Sequence, residues 1–381
     1  MNVLVAIDSF KGSLTSLQAG YAVKEAIIGI DKNAEVVVSP LADGGEGTVE
    51  ALATGLDGKL VEVAVHGPLM DKVFAQYCIL NDNKTAVIEM SAAAGITLIS
   101  TEKRNPLVTT TYGVGEIIKD AINKGCRHFI VGIGGSATND GGTGMLNALG
   151  FEFLDKEGQC IPFGAKGLER LAKISCENVI PELKDCSFRI ACDVINPLCG
   201  PNGCSAVFGP QKGATSEMIS DMDKWLGNYA DIAKTVSDKA DVNYPGVGAA
   251  GGLGFAFYAF TNAVLESGIK IILDETKLEE KIRIADIVVT GEGRLDSQTV
   301  MGKAPIGVAK LAKKYGKKVI AFSGCRTDDA SVCNEHGIDA FFSIIPGVVT
   351  LDEALDTKNA YKNLKNTAEQ VFRLLFLNRE V

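Results

Sequence analysis

The sequence predicts an α/β protein in which both ends of the chain build one parallel-sheet domain and a mixed α/β domain is inserted between them. Near the N-terminus, short apolar runs alternate with polar loops and helical segments, a pattern typical of parallel sheets. The same alternation returns from about residue 285. Between the two stretches, three strand-like runs joined by short turns indicate antiparallel pairing. We therefore predict a discontinuous domain of residues 1–60 and 285–381, with residues 61–284 as the insert.

The elements of the discontinuous domain follow from local patterns. Residues 3–7 are an apolar run that predicts a buried strand. Thr15 and Gln18 have the spacing of a capping box and predict a helix that runs to about Ile28. Residues 35–39 predict a second strand, ended by Pro40 and followed by a loop and a helix over about 48–54. The C-terminal part adds predicted strands at 286–290, 318–323 and 340–345, and helices at 305–315 and 352–376.

The insert is predicted from a change of pattern near residue 58. Its three antiparallel strands span 59–65, 73–80 and 85–90, and further strands are expected near 127–132 and 187–192. Helices are expected near 111–124, 142–149 and 215–239, and the glycine-rich segment 245–254 runs into an apolar helix.

Composition and charge exclude several classes of protein. The net charge is −9 and no long basic run is present, which argues against binding to nucleic acid or to an anionic membrane. The N-terminus lacks the features of a signal peptide, and no apolar run approaches the ~20 residues of a membrane span. Ten scattered cysteines and three histidines do not indicate a zinc site. A cytoplasmic protein with reduced thiols is expected.

Three polar, glycine-rich loops are expected at strand ends of the discontinuous domain, where open parallel sheets bind ligands. The loop 8–13 offers Asp8, Ser9 and Lys11, which suit Mg²⁺ and phosphate, or it is a surface loop with a helix cap. The loop 43–47 places Asp43 and Glu46 at a helix start, where acids also serve as plain dipole partners.

The third of these loops, 291–296, packs Glu292, Arg294 and Asp296 together. Arginine suits bidentate binding of a carboxylate or a phosphate. The alternative is a local salt bridge within the loop.

The insert carries further candidate sites. The segment 132–144 is rich in glycine, and its backbone amides, with the hydroxyls of Ser136 and Thr138, favour anions. Its first six residues also fit a loose G-x-G-x-x-A dinucleotide fingerprint, although no clear βαβ frame is predicted around them, and the alternative is a tight turn without a ligand. Asp193 lies at the end of a predicted strand. It is interpreted as a general base or a metal ligand, and the alternative is an Asx-turn. The segments 208–213 and 245–254 are further candidate nucleotide contacts.

These motifs together resemble the bacterial glycerate kinases of the type-one family, over nearly the whole chain. The matching segments are Val5-Ala-Ile-Asp-Ser-Phe-Lys-Gly-Ser13, Pro40-Leu-Ala-Asp-Gly-Gly-Glu-Gly-Thr48, Gly132-Ile-Gly-Gly-Ser-Ala-Thr-Asn-Asp-Gly-Gly142, Cys192-Asp-Val-Ile-Asn-Pro-Leu198, Gly209-Pro-Gln-Lys-Gly213, Gly248-Ala-Ala-Gly-Gly-Leu-Gly254, Thr290-Gly-Glu-Gly-Arg-Leu-Asp296 and Gly302-Lys303. The resemblance implies ATP- and Mg²⁺-dependent phosphorylation of D-glycerate, giving 2-phosphoglycerate. It also implies a flavodoxin-like domain, a second domain similar to restriction-enzyme folds, and an active site between them.

Within that resemblance, roles are assigned from polarity and from placement at strand ends. Lys11 and Arg294 are expected to neutralise phosphate oxygens or to hold the glycerate carboxylate, and Asp193 or Asp296 to accept the proton of the attacking hydroxyl. The metal ligands are expected to be Asp43 and Glu46. The residues expected to hold ATP are Gly134, Gly135, Ser136, Thr138, Gly251 and Gly252.

Two rival functions follow from the same residues. A nicotinamide-dependent dehydrogenase of a small hydroxy acid would use the fingerprint at 132–137 and would not need Mg²⁺. A metabolite sensor would bind glycerate or a nucleotide without turnover, yet no basic helix of a DNA-reading module is present. The oligomeric state is left open, with a homodimer as one arrangement.

Overall fold

The computed structural model describes residues 1–41 and 47–377. The strands in chain order are β1 (Asn2–Val5), β2 (Glu35–Val38), β3 (Lys59–His66), β4 (Lys72–Ile79), β5 (Thr85–Glu89), β6 (His128–Gly132), β7 (Glu152–Leu154), β8 (Lys173–Ser175), β9 (Ser187–Ala191), β10 (Ala263–Glu266), β11 (Ile287–Leu295), β12 (Lys318–Arg326) and β13 (Ala340–Ser343). In these parts of the chain, no helix is both long and apolar enough to cross a membrane.

The α-helices mostly lie where the sequence predicts them. They are α1 (Ser16–Ile30), α2 (Thr48–Gly55), α3 (Ser91–Ala94), α4 (Tyr112–Asn123), α5 (Thr143–Ala148), α6 (Cys204–Phe208), α7 (Ser216–Ala233), α8 (Ala249–Phe260), α9 (Gly268–Glu275), α10 (Leu278–Ile284), α11 (Ala304–Lys314), α12 (Val332–Glu335), α13 (Leu351–Leu355) and α14 (Thr357–Phe376). The predicted capping box of α1 is confirmed, because Thr15 accepts from the Gln18 amide and the Gln18 side chain accepts from the Thr15 amide.

Both ends of the chain build one parallel sheet, in the order β13-β12-β11-β1-β2. Val3 pairs with Val36 on one side and with Ile287 on the other, so β1 joins the N-terminal and C-terminal strands. The apolar residues of β1 and β11 that face α1 and α14 form one buried cluster with those helices. The predicted parallel sheet made from both chain ends is therefore confirmed.

The prediction of a loop at 291–296 is wrong, because β11 continues to Leu295 and pairs with β12 along this stretch. Glycine makes that pairing feasible: a Cβ atom added to Gly291 would lie 2.1 Å from the carbonyl oxygen of Phe322. The glycine that indicates a turn in the sequence is therefore needed for another reason, which is the close approach of two strands.

The middle of the chain forms a mixed sheet in the order β10-β9-β6-β5-β4-β3. The strands β3, β4 and β5 pair antiparallel, as predicted, and β5, β6, β9 and β10 pair parallel. Because α4 connects the parallel strands β5 and β6, the expectation that this part lacks a βαβ frame is wrong. Its core includes Phe129 and Phe188, whose stacked rings lie 4.8 Å apart. The sequence did not predict the three-residue strands β7 and β8, nor β10.

The described residues divide into two compact units. The first unit contains residues 1–41, 50–56 and 269–377, and the second contains residues 47–49 and 57–268. The helices α9 and α10 thus group with the first unit, whereas the sequence places the second domain limit at 284. The domain limits of the sequence interpretation remain predictions.

Candidate active site

The loop after β1 begins at the centre of the first sheet. The Asp8 amide donates to the carbonyl oxygen of Gly291 over 2.9 Å, which sets the loop beside β11. The Asp8 carboxylate is only 7% exposed and accepts from the Ser9 amide over 2.6 Å. An antiparallel bridge between Phe10 and Leu14 closes a turn that leaves Lys11 exposed. An acid and a base therefore lie in one short loop at the carboxyl end of β1.

A group of charged side chains lies at the end of β11. The carboxylate of Glu292, 8% exposed, accepts from Thr299 Oγ1 over 2.7 Å and lies 3.5 Å from Lys303 Nζ. Burial raises the pKa of Glu292, and the hydrogen bond from Thr299 and the charge of Lys303 only partly offset that effect. A buried acid whose pKa is raised by desolvation and which has a charged partner is a recurrent mark of a functional site.

Arg294 and Asp296 form an ion pair in the same group, with Arg294 Nε 3.3 Å from Asp296 Oδ2. The carboxylate of Asp296 also accepts from the amides of Gln298 and Thr299 and lies 3.9 Å from Lys303 Nζ. The local salt bridge considered as an alternative is therefore present, and it brings together two residues predicted to be catalytic. The sequence interpretation gave Lys303 no role. The Gly-Lys pair directly before the start of α11 could have indicated a functional lysine.

The loop after β1 and the charged group at the end of β11 flank the point where the strand order of the first sheet reverses. From β1 the chain adds β2 on one side, and the later strands β11, β12 and β13 extend the sheet on the other. In open parallel sheets the crevice at this point is the usual ligand site. The placement of Asp8 and Lys11 after β1, and of Glu292 on β11 beside it, agrees with that rule.

In the second unit, the glycine loop 133–142 follows β6. Gly134 and Gly135 are exposed, and Gly135 has a φ of +73°, which glycine adopts without strain. Ser136 is 8% exposed, whereas Thr138 is fully buried. The exposed part of the loop is thus Gly134 and Gly135, with the buried Ser136 directly after them, and the predicted contact of Thr138 with a cofactor stays a prediction.

The ammonium group of Lys212 lies beneath this turn. Lys212 is 1% exposed, and its Nζ donates to Ser136 Oγ over 2.8 Å and to the Thr138 carbonyl oxygen over 2.6 Å. Burial lowers the pKa of Lys212 to about 8. The sequence interpretation included this lysine only as part of the segment 208–213. The signal in the sequence that could have identified Lys212 as a functional residue is its position in a short segment of glycine and proline.

Asp140 holds the far side of the glycine loop. This buried carboxylate accepts from the amide and the hydroxyl of Thr111 and from the amides of Gly142 and Gly144, over 2.8 to 3.3 Å. Burial nevertheless raises the pKa of Asp140 above its usual range. The donors come from α4 and α5 and their connections, so Asp140 joins the loop to both helices.

Gly251 and Gly252 pack against the backbone of the same loop. A Cβ atom added to Gly251 would lie 2.0 Å from the Thr138 carbonyl oxygen, and one added to Gly252 would lie 2.8 Å from Gly141 Cα. Close backbone approach therefore explains why both positions are glycine. Their predicted role in binding a cofactor remains a prediction.

Asp193 follows β9 at the same sheet edge as the glycine turn, because Gly132 at the end of β6 pairs with Ala191 at the end of β9. Its side chain is exposed, and Oδ1 accepts from the Gly268 amide over 3.1 Å. The structure therefore places two of the predicted sites of the second unit, Asp193 and the turn at 134–136, on neighbouring strand ends.

The predicted metal ligands Asp43 and Glu46 lie outside the described residues. Among the residues that the structure does describe, no group of three or more His, Cys, Asp or Glu side chains could hold a metal ion. The dinucleotide fingerprint at 132–137 follows a strand, but α5 starts only at Thr143, so these residues do not open a helix.

Comparisons with known proteins identify the family of this chain. Residues 3–376 match the model of the glycerate kinase family. The chain is 47% identical to a glycerate kinase of Haemophilus influenzae over 98% of this chain and 99% of that protein. It is also 47% identical to the glycerate 2-kinase of Escherichia coli over 97% of both. A crystal structure from Salmonella typhimurium LT2, described as that of a candidate glycerate kinase 2, has a TM-score of 0.92 and 46% identity and is matched over 100% of both chains. The chain belongs to the glycerate kinase family.

Proposed function

We propose that this protein transfers the γ-phosphoryl group of ATP to the 2-hydroxyl of D-glycerate, giving 2-phosphoglycerate and ADP. The observation that carries the proposal is the 47% identity to the Escherichia coli protein named glycerate 2-kinase, over 97% of both chains. The candidate residues support it, because they supply exposed glycine amides, cations and carboxylates at strand ends, which are the groups that phosphoryl transfer needs.

The ATP phosphates are proposed to bind at the turn of Gly134, Gly135 and Ser136, in which the two glycines are exposed. Backbone amides in a turn of this kind form a concave site for anions. Thr138, Gly251 and Gly252 were expected to join this site. Their buried positions support a different contribution, which is to keep the turn in place from behind.

The cations of the first unit are proposed to act on the charged parts of the substrates. Arg294 is the better placed to hold a carboxylate or a phosphate in a bidentate manner, since its guanidinium lies at the end of β11 with 60% of the side chain exposed. Lys11, on the exposed turn after β1, is proposed to neutralise transferring phosphate oxygens.

Mg²⁺ is proposed as the metal, with Asp43 and Glu46 as its protein ligands. Carboxylates are the side chains that bind Mg²⁺, usually one or two together with phosphate oxygens and water, so the donor type fits. When bound, the ion would neutralise phosphate charge. The buried carboxylates of Asp8 and Glu292 are of the same donor type at the strand ends.

Asp193 is proposed as the general base that accepts the proton of the attacking hydroxyl, with Asp296 as the alternative. A base must reach the proton that it removes. Asp193 is exposed after β9, where its carboxylate accepts from the Gly268 amide. The Asp296 carboxylate accepts two amides and pairs with Arg294. These contacts favour Asp296 as the residue that orients Arg294.

The first unit is proposed to be flavodoxin-like. Numbered by chain order within its own sheet, the strands lie in the order 2-1-3-4-5, which is the flavodoxin-like order. The second unit is proposed to be related to restriction-enzyme folds, and its mixed sheet is compatible with that. A dependence on ATP favours a cytoplasmic location, and a homodimer is a proposal that light scattering would test.

The experiment is an ATP- and Mg²⁺-dependent assay with D-glycerate, in which ³¹P NMR identifies the product. A 2-phosphoglycerate signal is expected. A 3-phosphoglycerate signal would retain the kinase and overturn the regiochemistry. No phosphoryl transfer by the folded protein would overturn the proposal, and NADH-binding fluorescence would then test the dehydrogenase alternative.

A further inference from the structure

Lys212 carries a charge that is buried without a counter-ion. Among the described residues, no carboxylate oxygen lies within 4.0 Å of its ammonium group, and its two acceptors, Ser136 Oγ and the Thr138 carbonyl, are uncharged. The neighbouring acid, Asp140, directs its oxygens at Thr111, Gly142 and Gly144. Burying an ammonium in this way is costly, so a purely structural role would be served better by a neutral side chain.

The backbone around Lys212 fixes its direction. The residue ends the 3-10 helix Pro210–Lys212, in which its amide donates to the Gly209 carbonyl oxygen. Gly213 follows with a φ of +90°, and a Cβ atom there would lie 2.4 Å from the Arg104 carbonyl oxygen. The backbone on both sides of Lys212 therefore directs its side chain toward the glycine loop.

The contact with Ser136 has a consequence for the hydroxyl proton. An ammonium group only donates, so Ser136 Oγ must accept from Lys212, and its own proton is left for another acceptor. Ser136 adjoins the exposed glycines Gly134 and Gly135. A hydroxyl polarised by a cation from behind is a strong donor toward an anion in front of it.

We propose that Lys212 is a positioning residue for the triphosphate of ATP: its ammonium group holds Ser136 as a donor to a phosphate oxygen at the Gly134–Gly135 turn and supplies positive charge behind that turn. This inference rests on the proposed function, because it names the ligand of the same loop. The lowered pKa of Lys212 agrees with an ammonium group that is shielded from solvent and, among the described residues, has no carboxylate beside it.

The test is a pair of variants, Lys212→Met and Ser136→Ala, with the exposed Lys184→Met as the matched control. Calorimetric titration measures the Kd of the Mg²⁺ complex of β,γ-imido-ATP and, separately, the Kd of adenosine. We expect the Kd of the imido-ATP complex to rise at least tenfold in Lys212→Met and several-fold in Ser136→Ala. The Kd of adenosine and the KM for glycerate are expected to stay within twofold, as are all values for Lys184→Met.

Two results would overturn the inference. One is an unchanged Kd for the imido-ATP complex in folded variants, and the other is an equal loss of adenosine binding, which would mean that the lysine only supports the loop. If Lys212→Met does not fold, Ser136→Ala decides the question, since it leaves the buried lysine in place. The titrations do not depend on turnover. If the wild-type protein binds imido-ATP but does not phosphorylate glycerate, the proposed function is refuted and the inference about Lys212 is not.

Discussion

Arg294 Nε lies 3.3 Å from the Oδ2 atom of Asp296, a carboxylate that also accepts the amides of Gln298 and Thr299. The turn after β11 therefore fixes the carboxylate, and the carboxylate in turn orients the guanidinium. The two residues predicted as separate catalytic groups form one unit, so their substitution should not have independent effects.

Replacing Arg294 with alanine is expected to lower kcat/KM about 100-fold or more, because a charged donor to phosphate or carboxylate is lost. The free energy of unfolding should change by less than about 1 kcal/mol, since an exposed ion pair contributes little. Steady-state kinetics and urea unfolding measure the two effects. In the double variant with Asp296→Asn, the loss should be smaller than the product of the single losses. Unchanged turnover in Arg294→Ala would remove it from the site.

Asp193→Asn is expected to lower kcat by about 100-fold or more with little change in KM for ATP, because general-base catalysis contributes about that much. The amide has the same shape and cannot accept the proton. The pH profile of kcat should lose its acidic limb in this variant and keep it in Asp296→Asn. If both variants retain nearly full kcat, neither acid is the base.

The raised pKa of Glu292 predicts how stability depends on pH. In the folded protein this acid holds its proton more tightly than in the unfolded chain, so its contribution is fully present below a pH of about 4.5 and is lost as pH rises through the folded pKa. Relative to Glu292→Gln, which can still accept from Thr299, the wild type should lose stability between pH 4 and pH 7. Urea unfolding at both pH values measures the difference. A relative gain by the wild type would contradict the prediction.

Gly251→Ala is expected to destabilise the second unit by about 3 kcal/mol or more. The backbone φ of +66° costs a side chain about 1–2 kcal/mol, and the new Cβ would lie 2.0 Å from the Thr138 carbonyl oxygen. Gly158→Ala is the matched control, because its φ is +76° and no atom lies within 4 Å of the added Cβ. Denaturant unfolding should show only the smaller cost there. Equal losses in both variants would mean that the loop yields to the extra atom.

The affinity for ATP should fall as pH rises through about 8 in the wild type, because Lys212 loses its proton there. The titratable groups that act on it are Asp140 and Cys204, and Cys204 stays a thiol because burial raises its pKa to about 11. Titration of imido-ATP from pH 7 to 9 should show this fall in the wild type and a flat response in Lys212→Met. A parallel fall in both proteins would assign the titration to another group.

The same lysine predicts an opposite trend in stability. Between about pH 8 and 10.5, the unfolded lysine keeps a proton that the folded one has lost. The wild type should therefore gain free energy of unfolding relative to Lys212→Met over this range, as urea unfolding would measure. A constant difference would mean that the folded lysine keeps its proton over this range and that its pKa is not lowered.

Local patterns in the sequence were sufficient for most helices and for the parallel sheet made from both chain ends. The capping box at Thr15, the apolar runs of β1 and β11, and the short turns between β3, β4 and β5 each act within a few residues. Short elements such as β7 and β8 have no such signal, since three residues carry too little periodicity.

The glycine-rich segments show where local reasoning reached its limit. Gly134 and Gly135 lie in the predicted loop after β6, whereas Gly291 and Gly251 lack side chains because another strand or loop lies against them. Sequence alone does not distinguish the two reasons, because the clashing atom belongs to a segment far away in the chain.

The sequence by itself determined the order of the elements, the membership of the family and most of the residues that line the strand ends, because these depend on local pattern and motif. Only the tertiary structure decided that Arg294 pairs with Asp296, that Glu292 adjoins Lys303, and that Lys212 lies buried behind Ser136. Lys212 and Ser136 are 76 residues apart. Burial and the electrostatic environment arise only when such distant segments pack together, and these set the charge and the direction of each functional group.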